Sequence, residues 1–166
     1  DGISEIVLPL YELDRHPELV EKYGKRLIAQ LPTVTFPSDE NTLRKALDRL
    51  KAAGLTALLA ENIYGTEIAR ETGLVLHGGH GLNILNTTAL GEYEKLGLKS
   101  ATVSFELNMK DIRRLGGALP RGIIGYGHLP LMTMRTCPAQ GKNGCGNCRG
   151  TPCIKDRKGV NFPMLC

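Results

Sequence analysis

Residues 39–60 read DENTLRKALDRLKAAGLTALLA. Leu43, Ala46, Leu47 and Leu50 recur at three- and four-residue intervals, which places them on one face of a helix. Ser38 precedes this run as the predicted N-cap and Gly54 follows it as the stop, so a helix is predicted over about 39–53. Leu55-Thr56-Ala57-Leu58-Leu59-Ala60 is then a short apolar run, the pattern of a buried strand. A helix feeding directly into a buried strand is the repeating unit of a parallel sheet, because parallel neighbours need a crossover between them.

The same alternation extends in both directions. Upstream, Ile6 to Leu10 reads as a strand, Arg15 to Tyr23 as a short helix ended by Gly24, and Arg26 to Leu31 as a second strand. Downstream, helices are predicted over Thr66–Thr72, from Asn86 to Leu96 before Gly97, and from an Asn108 cap to Leu115 before Gly116-Gly117. Strands are predicted at Leu74–His77, Ala101–Ser104 and Ile123–Tyr126. Six strands alternating with helices fit either an open doubly wound sheet or a β/α barrel. A complete barrel has eight strands and usually more than 166 residues. The expected fold is a partial (β/α) barrel of about six parallel strands over residues 1–130, followed by a cysteine-rich, basic tail over 131–166. The chain opens on Asp1 with neither an initiator Met nor a signal-peptide pattern, and is read as a fragment. The missing N-terminal segment of the same protein, or a second copy in a homodimer, is expected to cover the exposed strand edges.

The tail holds all five cysteines: Cys137, Cys145, Cys148, Cys153 and Cys166. Cys145-Gly-Asn-Cys148 lets two thiolates converge on one metal, and outlying cysteines can complete a four-sulfur shell. Cys137, Cys145, Cys148 and Cys166 are the expected ligands, with Cys153 as the alternate fourth. Zinc or a 4Fe-4S cluster would suit such a set. An odd number of cysteines argues against a closed set of disulfides and favours a reducing, cytoplasmic location. No apolar run approaches the roughly 20 residues that span a bilayer. Arg135, Lys142, Arg149, Lys155, Arg157 and Lys158 face only Asp156 as a counter-charge in the tail. Such a segment keeps a loop solvated and offsets thiolates, or attracts a polyanion such as RNA.

Several polar residues fall at predicted strand ends, where a β/α barrel carries its chemistry. His77 and His80 flank Gly78-Gly79, and such a pair can bind a metal or a phosphate or move a proton. Glu106 follows the fifth strand as a candidate general base or binder of a substrate cation. His77, His80 and Glu106 are the candidate catalytic residues. Glu61, Asn83 and His128 are candidate substrate contacts, whereas Asn86 is read as a helix cap and Tyr126 as packing. The chain has no Gly-x-Ser-x-Gly elbow, no His-Glu-x-x-His helix, no dinucleotide fingerprint and no P-loop.

Three segments carry a family resemblance: Leu76-His77-Gly78-Gly79-His80-Gly81-Leu82-Asn83, Val103-Ser104-Phe105-Glu106-Leu107, and Tyr126-Gly127-His128-Leu129-Pro130 leading to Cys137-Pro138. With the tail Asp156–Pro163, their order and spacing resemble peptidase family U32, the collagenase-like peptidases. The resemblance implies a barrel-like fold with a metal-binding cysteine set and a peptidase activity on a peptide. Several relatives instead bear a 4Fe-4S cluster and support oxygen-independent hydroxylation of RNA or of a quinone precursor. Those relatives place a cysteine seven residues before the position of Cys137, where this chain has Pro130. A reading of a different class is a non-catalytic module, stapled by zinc, that binds RNA or another partner.

Overall fold

The computed structural model describes residues 2–134, 137 and 153–164. The chain divides into two units, Asp1–Gly127 and His128–Cys166. In the first, β1 (Ile6–Pro9), β2 (Leu27–Gln30), β3 (Ala57–Ala60), β4 (Val75–Gly78), β5 (Ser100–Thr102) and β6 (Arg121–Gly122) form one sheet. Every neighbouring pair is parallel. Their spatial order is the chain order. That order decides between the two architectures the sequence left open. A doubly wound sheet reverses its strand order at a switch point, whereas a singly wound one adds each strand on the same side and curls. The unit is a curled half-barrel, that is, a partial β/α barrel.

The helices α1 (Leu10–Arg15), α2 (Glu18–Tyr23), α3 (Glu40–Ala52), α4 (Ile63–Thr72), α5 (Thr87–Lys95) and α6 (Met109–Arg114) connect the strands. One sheet face packs on the helices. Leu27, Ala29, Leu58, Ala60, Leu76 and Ala101 join Leu43, Leu47, Leu50, Ile68 and Leu90 in a single buried cluster. Because side chains alternate along a strand, the opposite face carries the polar row. Gln30 pairs in register with Leu59, Leu59 with His77, and His77 with Ser100.

Four expectations are corrected. The first helix begins at Leu10, directly after β1, and Pro17 separates α1 from α2. Six residues are too few to hold a helix alone. Burial of Leu10 and Leu13, and the pair of bonds from Arg49 in α3 to both Asp14 oxygens (2.8 and 2.6 Å), hold α1 in place. Ser38 does not cap α3; its hydroxyl donates to Asp39 Oδ1, and the 3-10 turn Pro37–Asp39 leads into the helix. The last strand is Arg121–Gly122 rather than Ile123–Tyr126. The Arg121 guanidinium donates to the carbonyls of Leu115 and Gly117, which anchors the strand there. Tyr126, expected to pack, is fully exposed.

In the second unit, β7 (Cys153–Lys155) and β8 (Asn161–Pro163) form an antiparallel hairpin that the sequence reading did not anticipate. One Asp156 carboxylate oxygen accepts the N–H groups of Lys158 and Val160, both at 2.8 Å, and Gly159 takes the positive φ of 81° that the turn needs. Among the described residues, no helix is long and apolar enough to cross a membrane.

Leu58 is wholly buried in a central strand. Leu58→Ala is expected to cost about 2–5 kcal/mol. In urea unfolding this is a lower midpoint at an unchanged slope.

Candidate active site at the carboxyl rim of the sheet

Glu61 is the first residue past β3, at the carboxyl ends of the strands, and only 4 % of its surface is exposed. A buried carboxylate is costly unless donors meet its oxygens. Two neighbouring strand ends supply them. Gln30, the last residue of β2, donates its side-chain amide to Oε1 at 2.8 Å. The backbone N–H of Gly81, just past β4, donates to Oε2 at 2.7 Å. His80 brings Nδ1 to 3.5 Å from the same Oε2, an ion-pair distance longer than a formed hydrogen bond.

Gly79 and Gly81 are explained by this packing, whereas a Cβ on Gly78 would meet Leu82 and Leu98 at 2.7 Å in the apolar cluster. A Cβ on Gly79 would lie 2.3 Å from the Glu61 carboxyl carbon and both of its oxygens. One on Gly81 would lie 2.4 Å from the Glu61 backbone oxygen. The loop therefore lies flat over the carboxylate, and only glycine permits that approach. The Gly79 N–H donates to the Ala60 carbonyl at 2.8 Å, continuing the ladder into the loop. Asn83 closes the following 3-10 turn with φ 49°, a left-handed conformation that Asn tolerates.

The candidate residues separate into distinct roles. Glu61 and His80 come together, and the Phe105 ring stands beside the His80 ring at a centroid distance of 6.4 Å. His77 lies three residues back in β4, where its Nδ1 shares a 2.8 Å hydrogen bond with Ser100 Oγ of β5. The two histidines thus have different partners. Glu106 is exposed on the rim, and its carboxylate makes no hydrogen bond or ion pair among the described residues. Asn83 is exposed at its turn. Asn62 caps α4 by accepting from Gly65 N–H at 2.6 Å, and its amide donates to the carbonyls of Thr33 and Pro32. Asn86 and Asn108 cap α5 and α6 as read from the sequence. His128 is exposed and belongs to the second unit.

Of the proposed metal ligands, Cys145, Cys148 and Cys166 lie outside the described residues. Cys137 is half-buried, and Cys153 is exposed at the start of β7. Among the described residues, no group of three His, Cys, Asp or Glu side chains converges as a metal site.

Sequence reasoning missed Gln30 and Ser100. Gln30 carried one signal: it is the polar residue near the end of the otherwise apolar run Leu27-Ile28-Ala29-Gln30-Leu31, where a strand reaches the rim. Ser100 reads as an ordinary strand edge until β4 and β5 are paired.

The model of peptidase family U32 matches residues 7–149, and the chain belongs to that family. A collagenase of Porphyromonas gingivalis is 26% identical over 110 residues, which cover 66% of this chain and 26% of the relative. The solved U32 peptidase Mk0906 superposes with a TM-score of 0.54 at 19% identity, covering 72% of this chain and 60% of that one. That likeness concerns the fold. The chain thus spans about a quarter of the curated relative and three fifths of the solved one.

The glycine contacts separate two superficially similar substitutions. Gly79→Ala forces a methyl group against a buried carboxylate and is expected to destabilise by about 1–3 kcal/mol. Gly91, inside α5, has no atom within 4 Å of a built Cβ. Gly91→Ala is expected to stabilise by about 0.5–1 kcal/mol. Thermal unfolding of the two variants checks both signs.

Proposed function

We propose that the rim described here belongs to a peptide hydrolase and that His80, oriented by Glu61, moves the proton. One observation carries the reading: a buried carboxylate, fixed by Gln30 and Gly81, faces Nδ1 of a histidine that keeps about a quarter of its side-chain surface (27%) open. Catalytic hydrogen bonds are often long without substrate and tighten when it binds. Family membership and the name of the Porphyromonas gingivalis collagenase support a peptide as substrate.

A carboxylate only accepts, so the proton facing it sits on Nδ1 and leaves Nε2 as the acceptor. Nε2 takes a proton from a water molecule as that water attacks the peptide carbonyl. It returns the proton to the amine nitrogen as the C–N bond breaks. One carboxylic acid and one amine result, and no electrons are exchanged. Glu61 holds the ring's tautomer and orientation and opposes the charge that develops on it. Glu106, whose carboxylate on the same rim makes no hydrogen bond or ion pair among the described residues, meets a cationic group of the substrate in this reading.

His80→Gln in the full-length protein is expected to lower kcat on peptides about 100- to 10,000-fold with an unchanged melting temperature. Glu61→Gln, which keeps the shape but not the charge, should lower kcat in the same direction. Turnover within twofold of the parent for His80→Gln, in protein that folds normally, would remove His80 from the chemistry.

A further inference from the structure

A cavity of about 180 Å³ opens between the carboxyl ends of β1 and β2, lined by Pro9, Leu10, Tyr11, Gln30, Leu31 and Pro32, with Thr33 at its edge. We propose that it is the pocket that receives one apolar side chain of the substrate peptide, up to the size of Leu or Phe. This rests on the hydrolytic reading above and adds to it the feature of the substrate that is recognised.

The chemistry of the wall carries the inference. No lining residue is charged. Pro9 and Pro32 have no N–H to offer. The Asn62 amide takes up the carbonyls of Pro32 and Thr33, and the Leu31 N–H is spent on the Leu59 carbonyl at 2.9 Å. The Gln30 amide is committed to Glu61. Most of the wall is carbon, with the Tyr11 and Thr33 hydroxyls among its polar groups. A charged group entering it would lose most of its hydration, whereas an apolar one gains.

Size and place agree with this. A dry apolar cavity of about 150 Å³ holds a benzene molecule. The wall is also held in shape before any ligand arrives, by two prolines and the Asn62 tether, as ligand pockets usually are. It opens at the carboxyl ends of parallel strands, where such sheets bind their ligands. Gln30 belongs to both sites: it forms part of the cavity wall and donates to the Glu61 carboxylate. A side chain seated in the cavity therefore rests on the residue that orients Glu61.

The test uses the full-length protein and a set of quenched fluorescent peptides that differ at one position at a time, with Gly, Asp, Leu or Phe there. At one position, Leu and Phe are expected to exceed Gly by about tenfold or more in kcat/KM, with Asp lowest. Thr33→Phe, an exposed position whose new ring fills the cavity, should bring Leu and Gly within about twofold of each other. Tyr11→Ala, which enlarges the cavity, should shift the preference from Leu toward Phe and serves if Thr33→Phe does not fold. Cleavage with no dependence on any position would overturn the pocket and leave the hydrolytic reading standing. Absence of cleavage of every peptide would overturn the hydrolytic reading instead. The pocket is then decided by saturation-transfer NMR with blocked Gly-Leu-Gly and Gly-Gly-Gly peptides. Transfer to the leucine methyl groups that disappears in Thr33→Phe upholds an apolar pocket, and no transfer in the parent protein overturns it.

Discussion

The Glu61 carboxylate is buried, and an uncompensated buried charge is among the most expensive features a fold can contain. The hydrogen bonds that its oxygens accept from two other strand ends set demands on the whole rim. The β2–β3 register has to bring Gln30 beside it, and the β3–β4 register has to bring the Gly78–Gly81 loop over it. A one-residue slip in either pairing would turn Gln30 to the helix side of the sheet, or put a side chain where only glycine fits. The helices enforce those registers, because the same slip would move Leu58 and Leu76 out of the buried cluster.

The two faces of the sheet accordingly do different work. On the helix side, alternate residues of every central strand are buried and apolar, and their packing is the source of stability. On the other side, Val7 and Val75 are each 42% exposed, and the row contains Gln30, His77 and Ser100. Between Val7 and Val75, in register with them, Ile28 and Ala57 are buried, so this face is apolar and covered at its centre and polar toward the carboxyl rim. The candidate residues Glu61 and His80 gather at the rim, because loops past the strand ends are free of the ladder and can turn backbone N–H groups toward a carboxylate.

Much of the architecture was legible in the residues. The spacing of Leu43, Ala46, Leu47 and Leu50 is the face that α3 buries, and Asn86 and Asn108 cap helices as their chemistry predicts. The failures share a cause: local patterns compete with contacts that are distant in the chain. The apolar run through Leu10 reads as strand, yet Leu10 turns into α1, where Leu10 and Leu13 are buried and Arg49, 35 residues past Asp14, adds its bonds to the Asp14 carboxylate. Ile123 to Tyr126 has strand composition, but the chain is anchored two residues earlier by Arg121. Ser38 is a good cap by type, but Pro37 starts a 3-10 turn that leaves it outside the helix.

By itself, the sequence determined the alternation of strands and helices from β2 to α6, the glycine and histidine residues of the rim loop, and the family. Periodicity, capping and motif spacing are properties of neighbours along the chain, and need no knowledge of what lies across the sheet. Only the tertiary structure decided that the sheet is singly wound, that Gln30 and Glu61 meet from strands 31 residues apart, and that His80 rather than His77 faces the carboxylate. His77 and His80 are equivalent as residue types three positions apart. The alternation of the strand and the turn after it send one toward Ser100 and the other toward Glu61, and that separation exists only once the strands are paired.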